Sequence, residues 1–247
     1  MHRFYLVPEQ CKEPTVFLTG REAHHALRVL RVRRGERVTV LDGSGLELLC
    51  EVQEFDRDKV KLAVIERHLQ PGPLAQITLL QAVPKGKMIE SIIQKATELG
   101  VSRIVPLLSD RVVSQMGGKD SAQKAGKWQS VAVEAIKQCG SAWLPKVEAP
   151  LTPAQFLKRK EKFDLPLVAS LQPGSRHPRE VFQSFHAKEG RPPKSICAWV
   201  GPEGDFTPAE VGEIEAGGAL PITLGRLVLR VETAAVYCLS VINYEIN

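Results

Sequence analysis

The strongest constraint on this chain is a pair of glycine turns near its C-terminal end, each lying between an apolar run and a helical pattern. The first turn, Gly-Pro-Glu-Gly-Asp-Phe-Thr-Pro at residues 201–208, follows the apolar residues 196–200. The second is Leu-Gly-Arg-Leu-Val-Leu-Arg-Val-Glu-Thr-Ala at residues 224–234. Glycine adopts positive φ at little cost and lets a backbone approach a ligand closely. Two such turns at the ends of neighbouring strands predict a small-molecule pocket in an open α/β sheet.

The first turn also contains a helix start. Thr207 is a good N-cap residue, Pro208 suits the first helical position, and Glu210 lies three residues after the cap. Taken alone, this turn is equally typical of an ordinary strand-to-helix loop, since glycine and proline are common turn residues. The predicted pocket therefore depends on the two turns together.

Residues 3–70 are predicted to form mostly strands. Alternating or continuous apolar patterns cover residues 38–41, 46–55 and 60–65, with polar turns between them. One helix is predicted over residues 21–31. Its apolar stripe comprises Ala23, Ala26, Leu27 and Leu30. The pattern indicates a small β-barrel with one attached helix.

Pro71-Gly72-Pro73 marks the clearest boundary in the chain, because this combination ends regular structure. We predict one domain over residues 1–71 and a second over residues 74–247. Apolar runs and helical patterns alternate in the second, which indicates a parallel sheet covered by helices on both faces. Strands are predicted at 77–83, 102–108, 164–171, 196–200 and 220–224, and helices at 85–99, 119–139, 152–160, 178–189, 207–216 and 232–245. The pattern alone favours an unknotted, Rossmann-like sheet.

Positive charge is concentrated in one segment. The chain has a formal net charge of +5. Between residues 21 and 37, six arginines (21, 28, 31, 33, 34 and 37) face only two glutamates (22 and 36). Such a cluster can neutralise phosphates, hydrogen-bond them bidentately and stack on unpaired bases. It is also compatible with a merely solvated basic face.

Several classes of protein are disfavoured. Five scattered cysteines without a CxxC pair indicate reduced thiols in the cytoplasm, and the six histidines lack metal-ligand spacing, so we expect no metal site. The start of the chain lacks a signal-peptide pattern, and no run of eighteen apolar residues is present. The sequence also lacks GxGxxG, Walker, GxSxG and HExxH motifs, which argues against a generic nucleotide-phosphate enzyme, an acyl transferase or a metallohydrolase.

Three separated motifs resemble those of one known family. They are the paired turns GPEG(D)FT and LGxxxLRxETA, the segment KATELGV at residues 95–101 with Pro106 and Asp110-Arg111 after it, and the arginine-rich residues 25–38. In their order along the chain, these motifs resemble those of the RsmE family of SPOUT-superfamily methyltransferases. That resemblance implies S-adenosylmethionine-dependent methylation of uridine N3 in 16S ribosomal RNA of the small subunit. It further implies a PUA-like N-terminal domain, a C-terminal trefoil knot and a homodimer with the pocket at its interface.

The resemblance also implies site residues. The residues expected to bind S-adenosylmethionine are Leu171, Gly201, Pro202, Glu203, Gly204, Leu224, Gly225 and Leu229. The residues expected to bind RNA are Arg3, Arg21, Arg28, Arg31 and Arg33. Two expectations stay open. Glu203 could instead fix its loop by bonding backbone amides, and His25 could simply pack against the barrel.

Uridine N3 carries a proton at neutral pH and becomes nucleophilic only when that proton leaves. We expect Arg230 to stabilise the uridine anion at a carbonyl oxygen and Glu232 to take the proton as general base. This assumes that both residues lie on a strand end, where residues two apart face the same side. Alternatively, Glu232 caps a last helix that starts near Thr233, and Arg230 pairs with an acid.

The chain departs from the family pattern in places. Asp205 replaces a frequent second glycine, Leu227 stands where arginine is usual, Val231 replaces a frequent threonine, and Ser141 replaces a common arginine. These departures leave two other functions open: a non-catalytic RNA-binding ribosome-assembly factor, and a SPOUT methyltransferase acting on another RNA position.

Overall fold

A computed structural model describes residues 1–111 and 118–247, which form two compact units. The first unit comprises Met1–Gly72 and Val133–Leu144, and the second comprises Pro73–Ala132 and Pro145–Asn247. The chain passes between them at Gly72 and Pro73, beside the boundary seen in the sequence. Residues 133–144 belong to the first unit, although the sequence placed them in the second domain. The reason is that a single long helix contributes its last turns to the first unit.

The first unit contains a five-stranded sheet in the order β1-β3-β4-β5-β2. Its strands are β1 (His2–Tyr5), β2 (Thr15–Thr19), β3 (Arg37–Leu41), β4 (Leu46–Phe55) and β5 (Lys59–Leu69). β1 and β3 are parallel, and the other pairs are antiparallel. The sequence predicted a barrel. In the described strand order, however, β1 and β2 are the two edge strands and do not pair with each other. The backbone N–H of Tyr5, on the free edge of β1, is instead bound by the Glu22 carboxylate at 3.2 Å.

The predicted N-terminal helix is present, but only its first part is α-helical. α1 (Gly20–His24) continues as a π-helical segment over His25–Leu30. As predicted, the segment buries Ala23 and Ala26, packs Leu27 and Leu30 against the core, and exposes its arginines. The His25 ring lies edge-on to the Phe4 ring, with 6.2 Å between the ring centroids, which supports the packing role for this histidine.

The second unit contains a six-stranded, wholly parallel sheet in the order β11-β9-β10-β6-β7-β8. Its strands are β6 (Gln76–Ala82), β7 (Arg103–Leu107), β8 (Lys146–Val147), β9 (Leu165–Ala169), β10 (Ser195–Val200) and β11 (Leu220–Ile222). Its helices are α2 (Met88–Glu98), α3 (Gly118–Cys139, shared with the first unit), α4 (Pro153–Leu157), α5 (Pro178–Glu189), α6 (Pro208–Ala216) and α7 (Val231–Ile246). The alternation of strands and helices is confirmed, and only the two-residue β8 was not predicted.

The central strand β10 is buried along residues 196–200, so helices cover both faces of the sheet. On one face, Cys197 and Trp199 join Phe156 of α4 and Ile214 of α6 in one core cluster. α7 packs against α2, α5 and β10. Its apolar stripe of Ala235, Leu239 and Ile242 is buried, as expected for simple core residues.

All five cysteines are free thiols, and only Cys139 is exposed. Burial raises the pKa of the Cys50 thiol to about 12 and that of the Cys11 thiol to about 11, so both stay protonated near neutral pH. No helix among the described residues is both long and apolar enough to cross a membrane.

Candidate active site

Four strands of the second unit end side by side at one edge of its sheet. Because β11, β9, β10 and β6 are parallel and adjacent in this order, the chain segments that follow them meet at the same edge. The two glycine turns follow β10 and β11, and the expectation that these strands are direct neighbours is wrong. β9 lies between them, and the residues that follow it, Ser170 and Leu171, fill the gap.

A pocket with about 550 Å³ of empty space lies among the segments after β9, β10 and β11. We call it the three-loop pocket. Its lining residues are Ala169, Ser170, Leu171, Val200, Gly201, Pro202, Glu203, Asp205, Leu224, Gly225, Leu227, Val228, Leu229, Val231 and Ala234. Of the eight residues expected to bind the cofactor, all but Gly204 line it. Most of the other lining residues lie within the two turns or directly beside them, so their position in the sequence could have identified them.

The turn after β10 explains the departure at Asp205. The backbone N–H of Asp205 donates to the Pro202 carbonyl at 2.9 Å, and Asp205 has a left-handed φ of +62°. Its own carboxylate accepts the Phe206 N–H at 2.8 Å. Glycine adopts this backbone conformation most easily, but aspartate tolerates it better than most residues. Asp205 therefore preserves the turn without the second glycine.

Gly201 and Gly225 are required for different reasons. A Cβ on Gly201 would lie 2.8 Å from Asp205 Oδ1 and 3.1 Å from the Phe206 nitrogen, so the turn packs directly against this residue. Gly225 has open space around it, but its φ is +109°, a conformation that other residues rarely adopt. Thr223 Oγ1 accepts the Gly225 N–H at 3.2 Å and thereby fixes the second turn.

The segment after β7 holds the first turn from outside the pocket. Arg111 donates from its guanidinium to the Gly204 carbonyl, and the Asp110 N–H donates to the Glu210 carboxylate at 2.9 Å. Glu210 also completes the capping box with Thr207 that the sequence predicted at the start of α6. The Asp110-Arg111 pair thus supports the loop through backbone contacts.

A second pocket, with about 790 Å³ of empty space, adjoins the first. We call it the adjoining pocket. Its lining residues are Lys85, Met88, Glu203, Val228, Leu229, Arg230, Val231 and Glu232. Four of these also line the three-loop pocket, so the two cavities share a wall. Glu203 belongs to that wall, and its carboxylate accepts the Lys85 N–H at 3.1 Å. This bond supports the loop-fixing role that the sequence left open.

Arg230 and Glu232 lie in the adjoining pocket and not in the three-loop pocket. The assumption that they share a strand end is wrong, because residues 223–230 form no strand. Arg230 immediately precedes α7, which begins at Val231, and Glu232 lies in the first turn of that helix. Neither side chain has a hydrogen bond or ion pair with another described residue, and no side chain caps the helix by a hydrogen bond.

The arginines expected to bind RNA fall into two groups. Arg28, Arg31 and Arg33 are exposed in the first unit, as is Arg21, whose guanidinium lies 3.7 Å from the Glu134 carboxylate. Arg3 instead donates to the carbonyls of Lys137 and Gln138 at 3.2 and 3.0 Å, at the end of α3. Its guanidinium therefore already satisfies helix-end acceptors.

Two family models match the chain. The RNA methyltransferase domain model matches residues 70–243, and the RNA methyltransferase PUA domain model matches residues 18–65. The ribosomal RNA small subunit methyltransferase E of Bacillus subtilis is 34% identical over 99% of this chain and 97% of its own length. The chain belongs to this family of RNA methyltransferases.

Other members of the family support the assignment. The enzyme of the same name from Synechocystis is 35% identical over 98% of this chain and 77% of its own length. A crystal structure of the Neisseria gonorrhoeae member, bound to S-adenosyl methionine, superposes with a TM-score of 0.86. That protein is 28% identical to this chain, and the match covers 99% of this chain and 96% of the other.

We predict that Gly201→Ala destabilises the second unit, because the added methyl group forces the first turn away from Gly201. A cost of about 1–3 kcal/mol in the free energy of unfolding is expected, as for other overpacked sites. Gly212→Ala is the matched control, since Gly212 lies within α6 and has no atom within 4 Å of its added Cβ. That change should stabilise the chain by about 0.5–1 kcal/mol. Urea unfolding measures both, and a shift of the same sign in both variants would contradict the close-packing argument.

Proposed function

We propose that this protein transfers a methyl group from S-adenosylmethionine to N3 of a uridine in 16S ribosomal RNA of the small subunit. The observation that carries the proposal is the pair of pockets with a shared wall at the carboxyl edge of the sheet. One pocket suits the methyl donor, and the other holds the charged groups that uridine N3 chemistry requires. Membership of the RNA methyltransferase family supports the same reaction.

The three-loop pocket fits S-adenosylmethionine in its chemistry. Its walls combine leucine, valine and proline side chains with backbone at two glycine turns, and they include no lysine or arginine among the described residues. This suits a nucleoside without phosphates. Residues of the predicted set would hold the cofactor, while Gly204 would shape the turn, and the cofactor would supply an electrophilic methyl group.

The residues of the adjoining pocket would prepare the nucleophile. Removal of the N3 proton spreads negative charge over the uridine carbonyls, which the Arg230 guanidinium would stabilise. Glu232 would accept the proton as general base. Both side chains lack partners among the described residues, and this leaves them available for the substrate.

Incubation with methyl-labelled S-adenosylmethionine and small ribosomal subunits tests the proposal directly. We expect one labelled nucleoside, whose mass and chromatographic position match 3-methyluridine. Label on a ribose hydroxyl or another base would assign a different RNA position. Absence of both methyl transfer and calorimetric binding of the cofactor would favour the non-catalytic assembly factor, whereas detectable cofactor binding would count against it.

We predict that Arg230→Ala lowers kcat about 100-fold or more, as for loss of one donor to a developing oxyanion. The dissociation constant of S-adenosylmethionine should stay nearly unchanged, because Arg230 does not line the three-loop pocket. Arg226→Ala is the matched control, since Arg226 is exposed in the same loop and lines neither pocket. Unchanged turnover in Arg230→Ala would remove this residue from the mechanism.

We also propose that the first unit binds the RNA through its arginine cluster. Arg28, Arg31 and Arg33 are exposed, and their guanidinium groups have no ion pair with a described residue. Arg21 would contribute alongside its contact with Glu134. Arg3, although expected to bind RNA, has its guanidinium engaged by the end of α3, so we assign it mainly to stability.

We predict that Arg28→Ala and Arg33→Ala each weaken RNA binding and reduce its salt dependence. Removing one phosphate-binding side chain should lower the slope of log K against log salt by about 1. Arg57→Ala is the control, because Arg57 is exposed in the turn between β4 and β5 of the same unit. Fluorescence anisotropy with a labelled small-subunit RNA fragment measures the slopes. If the slope of log K against log salt is the same in all three variants, the RNA binds outside the arginine cluster.

The remaining family expectations are proposals supported by particular features. The chain forms the edge strand β11 beside β9 and then returns to pack α7 against β10 and α2, which is compatible with a trefoil knot. Leu227 and Val228, each 76% exposed beside the three-loop pocket, favour a homodimer interface there. The free thiols and the RNA substrate favour the cytoplasm.

A further inference from the structure

We propose that the adjoining pocket binds the target uracil ring and that Lys85 is a second cation that recognises it. Lys85 and Arg230 would donate hydrogen bonds to the two carbonyl oxygens of the ring, while a carboxylate of the pocket accepts from N3. This inference rests on the proposed function, because it names the residues that select the base for that reaction.

The position of the adjoining pocket follows from strand order. β6 is the direct neighbour of β10, and Lys85 lies in the short segment between the end of β6 and the start of α2. Gly86, with a φ of +69°, allows the chain to turn there. Lys85 thus comes from the fourth strand end of the same sheet edge. A ring bound beside it would also meet the wall shared with the cofactor pocket.

Lys85 is held by its backbone and free at its side chain. Its N–H donates to the Glu203 carboxylate at 3.1 Å, which ties this segment to the turn after β10. The side chain is exposed, and its ammonium has no ion pair or hydrogen bond with another described residue. A lysine whose backbone is held in place and whose ammonium group is unpaired is suited to bind a polar ligand in the pocket.

The polar groups of the pocket match the Watson–Crick edge of uracil. That edge presents an acceptor at O4, a donor at N3 and an acceptor at O2. Two cationic donors, Lys85 and Arg230, and two carboxylates, Glu203 and Glu232, line the pocket. Cytosine has an amino donor at position 4 and an acceptor at N3, so it would place a donor against a cation and an acceptor against a carboxylate. The pattern therefore selects uracil over cytosine.

The same charges favour loss of the N3 proton. The pocket holds two cations and two carboxylates, so it is neutral overall before the base enters. When the proton moves from N3 to the Glu232 carboxylate, the resulting uracil anion lies between Lys85 and Arg230. No net charge is added to the pocket, and both carbonyl oxygens that share the negative charge have a donor. Met88 and Leu229 supply apolar surface for the ring.

Lys85→Gln, Lys85→Arg and the control Lys87→Gln test this inference. Lys87 is exposed two residues away and does not line the pocket. We expect Lys85→Gln to lower kcat about 10- to 100-fold, by analogy with other donors to a developing anion. We expect its profile of rate against pH to move to higher pH, because N3 loses its proton less readily without the nearby cation. Lys85→Arg should restore most of the rate, and Lys87→Gln should match the wild type.

The affinity for S-adenosylmethionine and the thermal midpoint serve as folding controls and should be the same in all variants. An unchanged rate and pH profile in Lys85→Gln would overturn the inference, as would a loss of cofactor affinity in that variant. These results are distinguishable from failure of the proposed function. In that case the wild-type protein itself would leave uridine N3 unmethylated, whatever residue stands at position 85.

Discussion

The site depends on the parallel alignment of four neighbouring strands. β11, β9, β10 and β6 run in one direction, so the chain leaves each of them at the same edge of the sheet. Strand pairing fixes these exits far more firmly than the loops could fix themselves, since loops gain little from burial. The hydrogen-bonded sheet thereby brings together residues as distant in sequence as Lys85, Leu171, Glu203 and Arg230.

Backbone contacts then give the loops a defined shape. The turn after β10 is closed by the Asp205 N–H, packed tightly against Gly201, and held from outside by Arg111. Glu203 connects it to the segment after β6. Most of these interactions involve main-chain atoms, which explains why a substitution such as Asp205 for glycine is tolerated when the new side chain accepts the left-handed conformation. The side chains of Lys85, Arg230 and Glu232, which line the adjoining pocket, are left available for ligands.

Much of the fold could be predicted from periodicity. The alternation of strands and helices in the second unit, the capping box at Thr207 and the buried stripe of α7 followed from local patterns, because burial on one face imposes a fixed spacing. The pairing order did not follow, and β9 was not expected between the two glycine turns. The strand pairing also does not close the five-stranded sheet into the predicted barrel, and periodicity could not reveal that the Glu22 carboxylate accepts a backbone N–H at the edge of β1.

The sequence by itself determined the family, most of the secondary structure and seven lining residues of the three-loop pocket, because each depends on local motifs or on spacing along the chain. Only the tertiary structure decided that Arg230 and Glu232 belong to a separate, adjoining pocket, that Arg3 is engaged by a helix end, and that Lys85 lines the same cavity as Arg230. The physical reason is that strand order is set by pairing between distant segments. No local pattern in the sequence indicates which strands pair with each other.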